Sequence, residues 1–149
     1  MSSAKDRIKA VQEERRLRKE ALEKQYDEQH AADLAALNAL EVEYGDGNVK
    51  AIKIPFEPGL PTLVVVRKPK PPEHSRYRTE VKPKANGKPG DAVKGAEDLG
   101  TLCLVYPPKD TDDADTRARL LEARPGLLSQ AGVEAATMAY GETVDEGKD

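Results

Sequence analysis

The first 44 residues contain neither glycine nor proline; all 11 glycines and all 11 prolines fall at or beyond Gly45. A stretch of that length with nothing to break the backbone ladder is constrained to one long helix. Ser3 followed three residues later by Asp6 supplies an N-terminal capping pair. At 1.5 Å per residue the helix reaches roughly 60 Å. The spacing therefore predicts helix from Ser2 to Tyr44, ended by the turn Gly45-Asp46-Gly47-Asn48.

The two halves of this helix differ. Ile8, Val11, Leu22 and Tyr26 form a thin apolar stripe among many charges in the first half. Leu34, Leu37, Leu40 and Tyr44 recur at helical spacing in the second, with alanines between, and that half is expected to bury a face. No strict heptad persists for three repeats, so a coiled coil stays open without being assigned. Homo-oligomerisation through the helix stays open, as does a solvated face or a partner-binding arm.

After the turn, VKAIKI and TLVVVR are rich in β-branched residues and predict two strands. Their connection, PFEPGLP, holds three prolines, which argues against a tight two-residue hairpin. This two-stranded element is expected to lie on the Leu34–Tyr44 face, since two strands alone are marginal in water. KPKPP is an extended connector, PEHSRYRTEV a short helix, and residues 82–90 a flexible basic loop.

The last third is the best-patterned apolar part. It reads as three short helices separated by Pro107-Pro108 and Pro125-Gly126. The first, AVKGAEDLGTLCLVY, places Val93, Ala96, Leu99, Cys103 and Tyr106 on one face, with Leu102 beside it. The second, DTRARLLEAR, turns Leu120 and Leu121 inward, is capped by Thr111 or Asp112, and has Arg124 in its last turn. The third offers Leu127, Leu128 and Met138, while Ala131, Gly132, Ala135 and Ala136 permit close helix contact. Residues 142–149 read as an acidic tail.

The expected fold class is thus α+β, mostly α, in five segments. These are a long charged helix (1–44), a basic β element with a short helix (45–81), a linker loop (82–90), a helical module (91–141) and the acidic tail. The core is expected to be small, because 38% of the residues are apolar and there is no Trp. The core or partner-facing candidates are Leu34, Leu37, Leu40, Leu99, Leu102, Leu120, Leu121, Leu127, Leu128 and Met138.

The net charge of −3 hides a segregation. Residues 1–44 carry 8 basic and 10 acidic side chains, residues 45–90 carry 10 and 4, and residues 91–149 carry 6 and 13. The basic-patch candidates are Arg67, Lys68, Lys70, Arg76 and Arg78. With Phe56 and Tyr77 nearby they resemble a nucleic-acid patch, but the acidic remainder of the chain favours docking on acidic protein instead.

Chemistry-bearing patterns fail on inspection. DTDDADT, residues 110–116, has Ala114 and Asp115 at the fifth and sixth positions and Leu121 at the twelfth, where a calcium loop needs an oxygen ligand, Gly and Glu. GETVDEGK has the wrong glycine spacing for a phosphate loop. His30 and His74 lack neighbours at metal-ligand spacing, and no strand–turn–helix nucleophile elbow is present. Cys103, alone, reads as a small core residue in a reducing compartment. MSSAKDRIKA has no apolar signal core, and no apolar run approaches a membrane span. The expectation is a non-enzyme with no cofactor, no metal and no membrane association.

Residues 42–141 resemble a bacteriophage tail assembly chaperone. The resemblance is carried in order by EVEYGDGNVKAIKIP, LVVVRKP, RYRTEV, DAVKGAEDLGTLCLVYPP and LLEARPGLLSQAGVEAATMAYG. It covers about two-thirds of the chain and rests on packing and turn patterns. It implies a small, largely helical, non-catalytic protein that binds the tape measure protein or tail tube subunits in the bacterial host cytoplasm. Residues 2–33 and 82–90 depart from a minimal member, which opens the alternative of a minor structural component (neck, connector or tail-associated) in the virion. A nucleic-acid-binding accessory protein is the third reading. No functional residues transfer, because the resemblance contains no catalytic motif.

Overall fold

The computed structural model describes residues 3–109 and 114–140. Its elements run α1 (Ala4–Tyr44), β1 (Val49–Lys53), β2 (Leu63–Arg67), α2 (Pro71–Val81), α3 (Ala92–Cys103), β3 (Leu104–Tyr106), α4 (Ala114–Ala123) and α5 (Leu127–Ala139). The expected class holds: mostly helical, with a long N-terminal helix, a small antiparallel sheet and C-terminal helices. The caps anticipated for α4 at Thr111 or Asp112, the calcium-like acids at 110–113 and the segment 141–149 lie outside the described residues.

Helix α1 begins with the expected capping box. Ser3 Oγ accepts from the Asp6 amide at 3.1 Å, and Asp6 returns the bond to the Ser3 amide at 3.3 Å. It stops at Gly45, whose φ of +93° is left-handed, and Asn48 Nδ2 donates to the Tyr44 carbonyl at 2.9 Å. Residues 3–28 are exposed throughout. Exposed pairs such as Arg18 with Glu14 (2.7 Å) each contribute only tenths of a kcal/mol. This arm of the helix projects roughly 35 Å from the body.

The sheet has three strands, in the order β1-β2-β3, both pairs antiparallel. The two-stranded expectation is therefore corrected: a third strand completes it. Leu104–Tyr106 was expected to continue the α3 helix, but the helix ends at Cys103. Two causes act together. Tyr106 precedes Pro107, which pushes it into extended backbone. The open edge of β2 also needs partners for its amides and carbonyls, and Leu104–Tyr106 supplies them. Consequently Tyr106 is no longer on the inner face of a helix. Val93 leaves that face too, at 62% exposure, because it sits in the first turn of α3 at the rim of the stripe.

With both edges paired, Leu63, Val64, Val65 and Val66 of β2 are all buried. Alternation along the strand sends Val64 and Val66 into the main core with Ile52, Leu104, Leu120 and Leu127. The β1–β2 connection is tied to the end of α4, where Arg124 donates to the Pro55 carbonyl at 3.3 Å and pairs with Glu57 at 3.1 Å. Arg124 thus follows the last turn of α4 rather than lying in it.

A smaller cluster joins Leu99, Cys103, Ala135 and Ala136, with Tyr77 of α2 against it. Here α3 and α5 cross at backbone contact. A Cβ on Gly132 would stand 1.8 Å from the Ala96 carbonyl oxygen, and one on Gly100 2.0 Å from that of Leu128. The 82–90 connector folds on itself, with the Lys84 amide bonded to the Lys88 carbonyl and the Asp91 amide to that of Glu80.

Candidate docking surfaces

The arm is joined to the body by a carboxylate. Asp33 is fully buried and is the buried residue of α1. Its oxygens accept from the Thr62 amide and the Thr62 hydroxyl, both at 2.6 Å, from Gln29 Nε2 at 2.9 Å, and from the Tyr106 hydroxyl. Four donors fill the capacity of one carboxylate. His30 Nδ1 lies 2.8 Å from Thr62 Oγ1. Since that hydroxyl gives its only proton to Asp33, His30 is the donor, which fixes a proton on Nδ1. Tyr26 stacks on His30 and meets Phe56 edge-on at 5.4 Å.

Helical geometry links this anchor to the exposed arm. At roughly 100° per residue, Ile8, Val11, Leu22 and Tyr26 fall within about 40° of Asp33, as do Leu37, Leu40 and Tyr44. The arm's apolar stripe is therefore a straight continuation of the face that packs on the body. Ile8 (58% exposed) and Val11 (47%) stand open on it. Leu34 is turned about 100° from Asp33, which explains its exposure at 41%.

The ten apolar candidates divide. Leu99, Leu120 and Leu127 are core residues. Leu121, Leu128 and Met138 are half-buried against the main core. Leu37 and Leu40 are half-buried on α1, and Leu34 and Leu102 are exposed. Leu40 and Leu102 both line a groove of about 460 Å³, between the second half of α1 and the α3–β3 corner, with Ala36, Ala39, Tyr44 and Val105 among its other apolar residues. Arg117, buried and missed by pattern reading, holds that corner by donating to the Leu104 carbonyl at 2.7 Å and the Thr101 carbonyl at 3.3 Å.

The basic candidates also divide. Arg67 grips Glu73 with two bonds, at 2.7 and 2.8 Å, and donates to the Leu102 carbonyl at 3.0 Å. It joins β2, α2 and α3. Arg76 lies 3.6 Å from Glu80. Lys68, Lys70 and Arg78 are exposed and line a separate groove of about 670 Å³.

The Arg67 bonds lower the Glu73 carboxyl from 4.5 to about 2, against the opposing effect of burial and with help from the Lys70 amide. A depressed acid stabilises the fold above its unfolded pKa and loses that contribution as pH falls through its folded value. The pair's stabilisation is thus fully present above about pH 4.5 and fades towards about pH 2. Glu73→Gln is expected to lower stability at pH 7 by about 1–2 kcal/mol, discounted for solvent screening, and by much less near pH 2. Urea denaturation across that range checks the slope; parallel curves for both proteins would refute it.

Cys103 is buried, and loss of hydration pushes its thiol up to about 11, which leaves it protonated and inert at neutral pH. Among the described residues no group of His, Cys, Asp and Glu could hold a metal ion, and no helix is long and apolar enough to cross a membrane. Comparison with protein-family models, with curated proteins and with solved structures finds no match to this chain.

Proposed function

We propose that this chain is a non-catalytic assembly protein of the phage tail assembly chaperone kind, which covers a helical segment of a tape measure or tail tube protein before the tail polymerises. One observation carries the reading. The apolar stripe of the exposed arm runs on the same face of α1 that borders the Leu40–Leu102 groove. An amphipathic client helix laid on the arm meets Ile8, Val11 and Leu22, and a second apolar segment of the client fills the Leu40–Leu102 groove on the far side of the Asp33 contact with the body. The flanking charges of the arm keep the surface hydrated when it is empty and set register when it is filled. The resemblance across residues 42–141 supplies the client class, and the bacterial host cytoplasm is the place of action. The tight α3–α5 crossing and three-stranded sheet give the arm a stable base.

The alternative is a minor structural part of the particle, docked through the arm. It is favoured by the arm itself, which exceeds what the resembling region contains. Affinity capture with the tagged full chain from bacteria producing the phage is expected to recover tape measure or tube protein. Leu40→Asp with Leu102→Asp should cut that recovery at least tenfold. Recovery of neither protein, with normal tails formed when the gene is deleted, would overturn the proposal. Fixed stoichiometry in purified particles would decide for the structural alternative.

A further inference from the structure

The second groove is built differently from the first. It opens between the end of α1, the end of β2 and the start of α2. Tyr44, Asn48, Lys68, Lys70, His74 and Arg78 are among its lining residues. Lys68, Lys70 and Arg78 have no ion-pair partner within 4 Å among the described residues. Of the acids nearby, Glu73 is committed to Arg67 and the Lys70 amide, while Glu80 lies 3.6 Å from Arg76, keeps one oxygen without a hydrogen-bond partner and does not line the groove. His74 adds an unmet capacity, since its Nε2 is enclosed and has no hydrogen-bond partner.

We infer that this groove is a docking site for a carboxylate-rich peptide segment of a partner protein. Three cations outside any ion pair, around a cleft of about 670 Å³, favour an anionic occupant. The cleft's proline and tyrosine walls suit a peptide that brings apolar backbone-flanking surface with its charges. A phosphate ligand is poorly served. Pro71 and Pro72 open α2, so its first turn lacks two of the amides that cradle phosphate at a helix N-terminus. A polynucleotide is opposed by the rest of the chain, where residues 91–149 carry 13 acids against 6 bases. The inference stands independently of which client the α1 face takes.

The test uses the full chain and a fluorescein-labelled decapeptide of alternating Glu and Ala, read by fluorescence anisotropy. Binding is expected at 50 mM NaCl and should weaken roughly tenfold by 300 mM, as screening of exposed charges requires. Lys68→Glu, Lys70→Glu and Arg78→Glu together should weaken it at least tenfold. Lys82→Glu, Lys84→Glu and Lys88→Glu, the same charge change placed in the 82–90 connector, should weaken it less than threefold. Circular dichroism confirms that both variants are folded. The inference is overturned by absent binding at 50 mM NaCl, by equal loss in the two triple variants, or by tighter binding of a 20-nucleotide single-stranded DNA than of the peptide.

Discussion

Gly132→Ala is expected to lower the melting temperature by roughly 10 °C, a destabilisation of about 3 kcal/mol or more. Alanine is ordinarily better than glycine inside a helix, by about 1 kcal/mol, so propensity alone gives the opposite sign. The contact decides otherwise. The new methyl would stand 1.8 Å from the Ala96 carbonyl oxygen and 2.6 Å from its carbon. Both belong to the backbone of α3, so no side-chain rotation relieves the clash. The helices must separate, and Leu99, Cys103, Ala135 and Ala136 then lose their close packing. Gly100→Ala meets the reciprocal obstacle at the Leu128 carbonyl and should behave alike. Gly126→Ala is the control: nothing lies within 4 Å of its Cβ position and its φ is −86°. Its melting temperature should stay within about 2 °C of the parent. Thermal denaturation of the three variants is sufficient, and an unchanged Gly132→Ala would show that the crossing is looser than described.

The sequence carried the long helix openly, because an absence of glycine and proline over 44 residues leaves few alternatives. It also announced β2, whose LVVV run is buried on both faces, and the small-residue face of α5. The third strand was hidden. Tyr106 falls on the same helical face as Leu99 and Cys103, so the pattern reads on as helix, and the unpaired edge of β2, distant in sequence, helps select the extended state. Charge reading failed in a related way at Arg67. A basic cluster shows in composition, but which member is consumed by Glu73 depends on how α2 folds back on β2. The docking grooves were legible only as ingredients. Leu40 and Leu102 were both singled out, yet their juxtaposition depends on how α1 crosses the α3–β3 corner. Asp33 was missed because polar residues in an amphipathic pattern are assigned to the solvent side. Its position at the centre of the α1 inward face was the available signal.

That position makes Asp33→Ala the most consequential change available to the arm. It strips the partner from a buried backbone amide, a hydroxyl of Thr62, the Tyr106 hydroxyl and Gln29 at once. An unsatisfied buried donor costs about 1–3 kcal/mol, and several share this site, so a loss of about 3–4 kcal/mol is expected. The loss should be local first. Otherwise α1 is held by the His30–Thr62 hydrogen bond, the Tyr26–Phe56 edge contact and the half-buried Leu37 and Leu40. The Thr62 amide should therefore exchange with solvent faster in the variant than amides at the α3–α5 crossing. Asp33→Leu separates packing from hydrogen bonding, because it restores an apolar side chain where the helical pattern asks for one yet still orphans Thr62. It should remain destabilised. A double-mutant cycle with Tyr106→Phe should show coupling of about 1 kcal/mol or more. If α1 detaches, the Leu40–Leu102 groove opens with it, so client capture should fall in Asp33→Ala at temperatures where the α3–α5 core is still folded. Full capture by a variant with an exchanging Thr62 amide would show instead that the arm binds without its seat on the sheet.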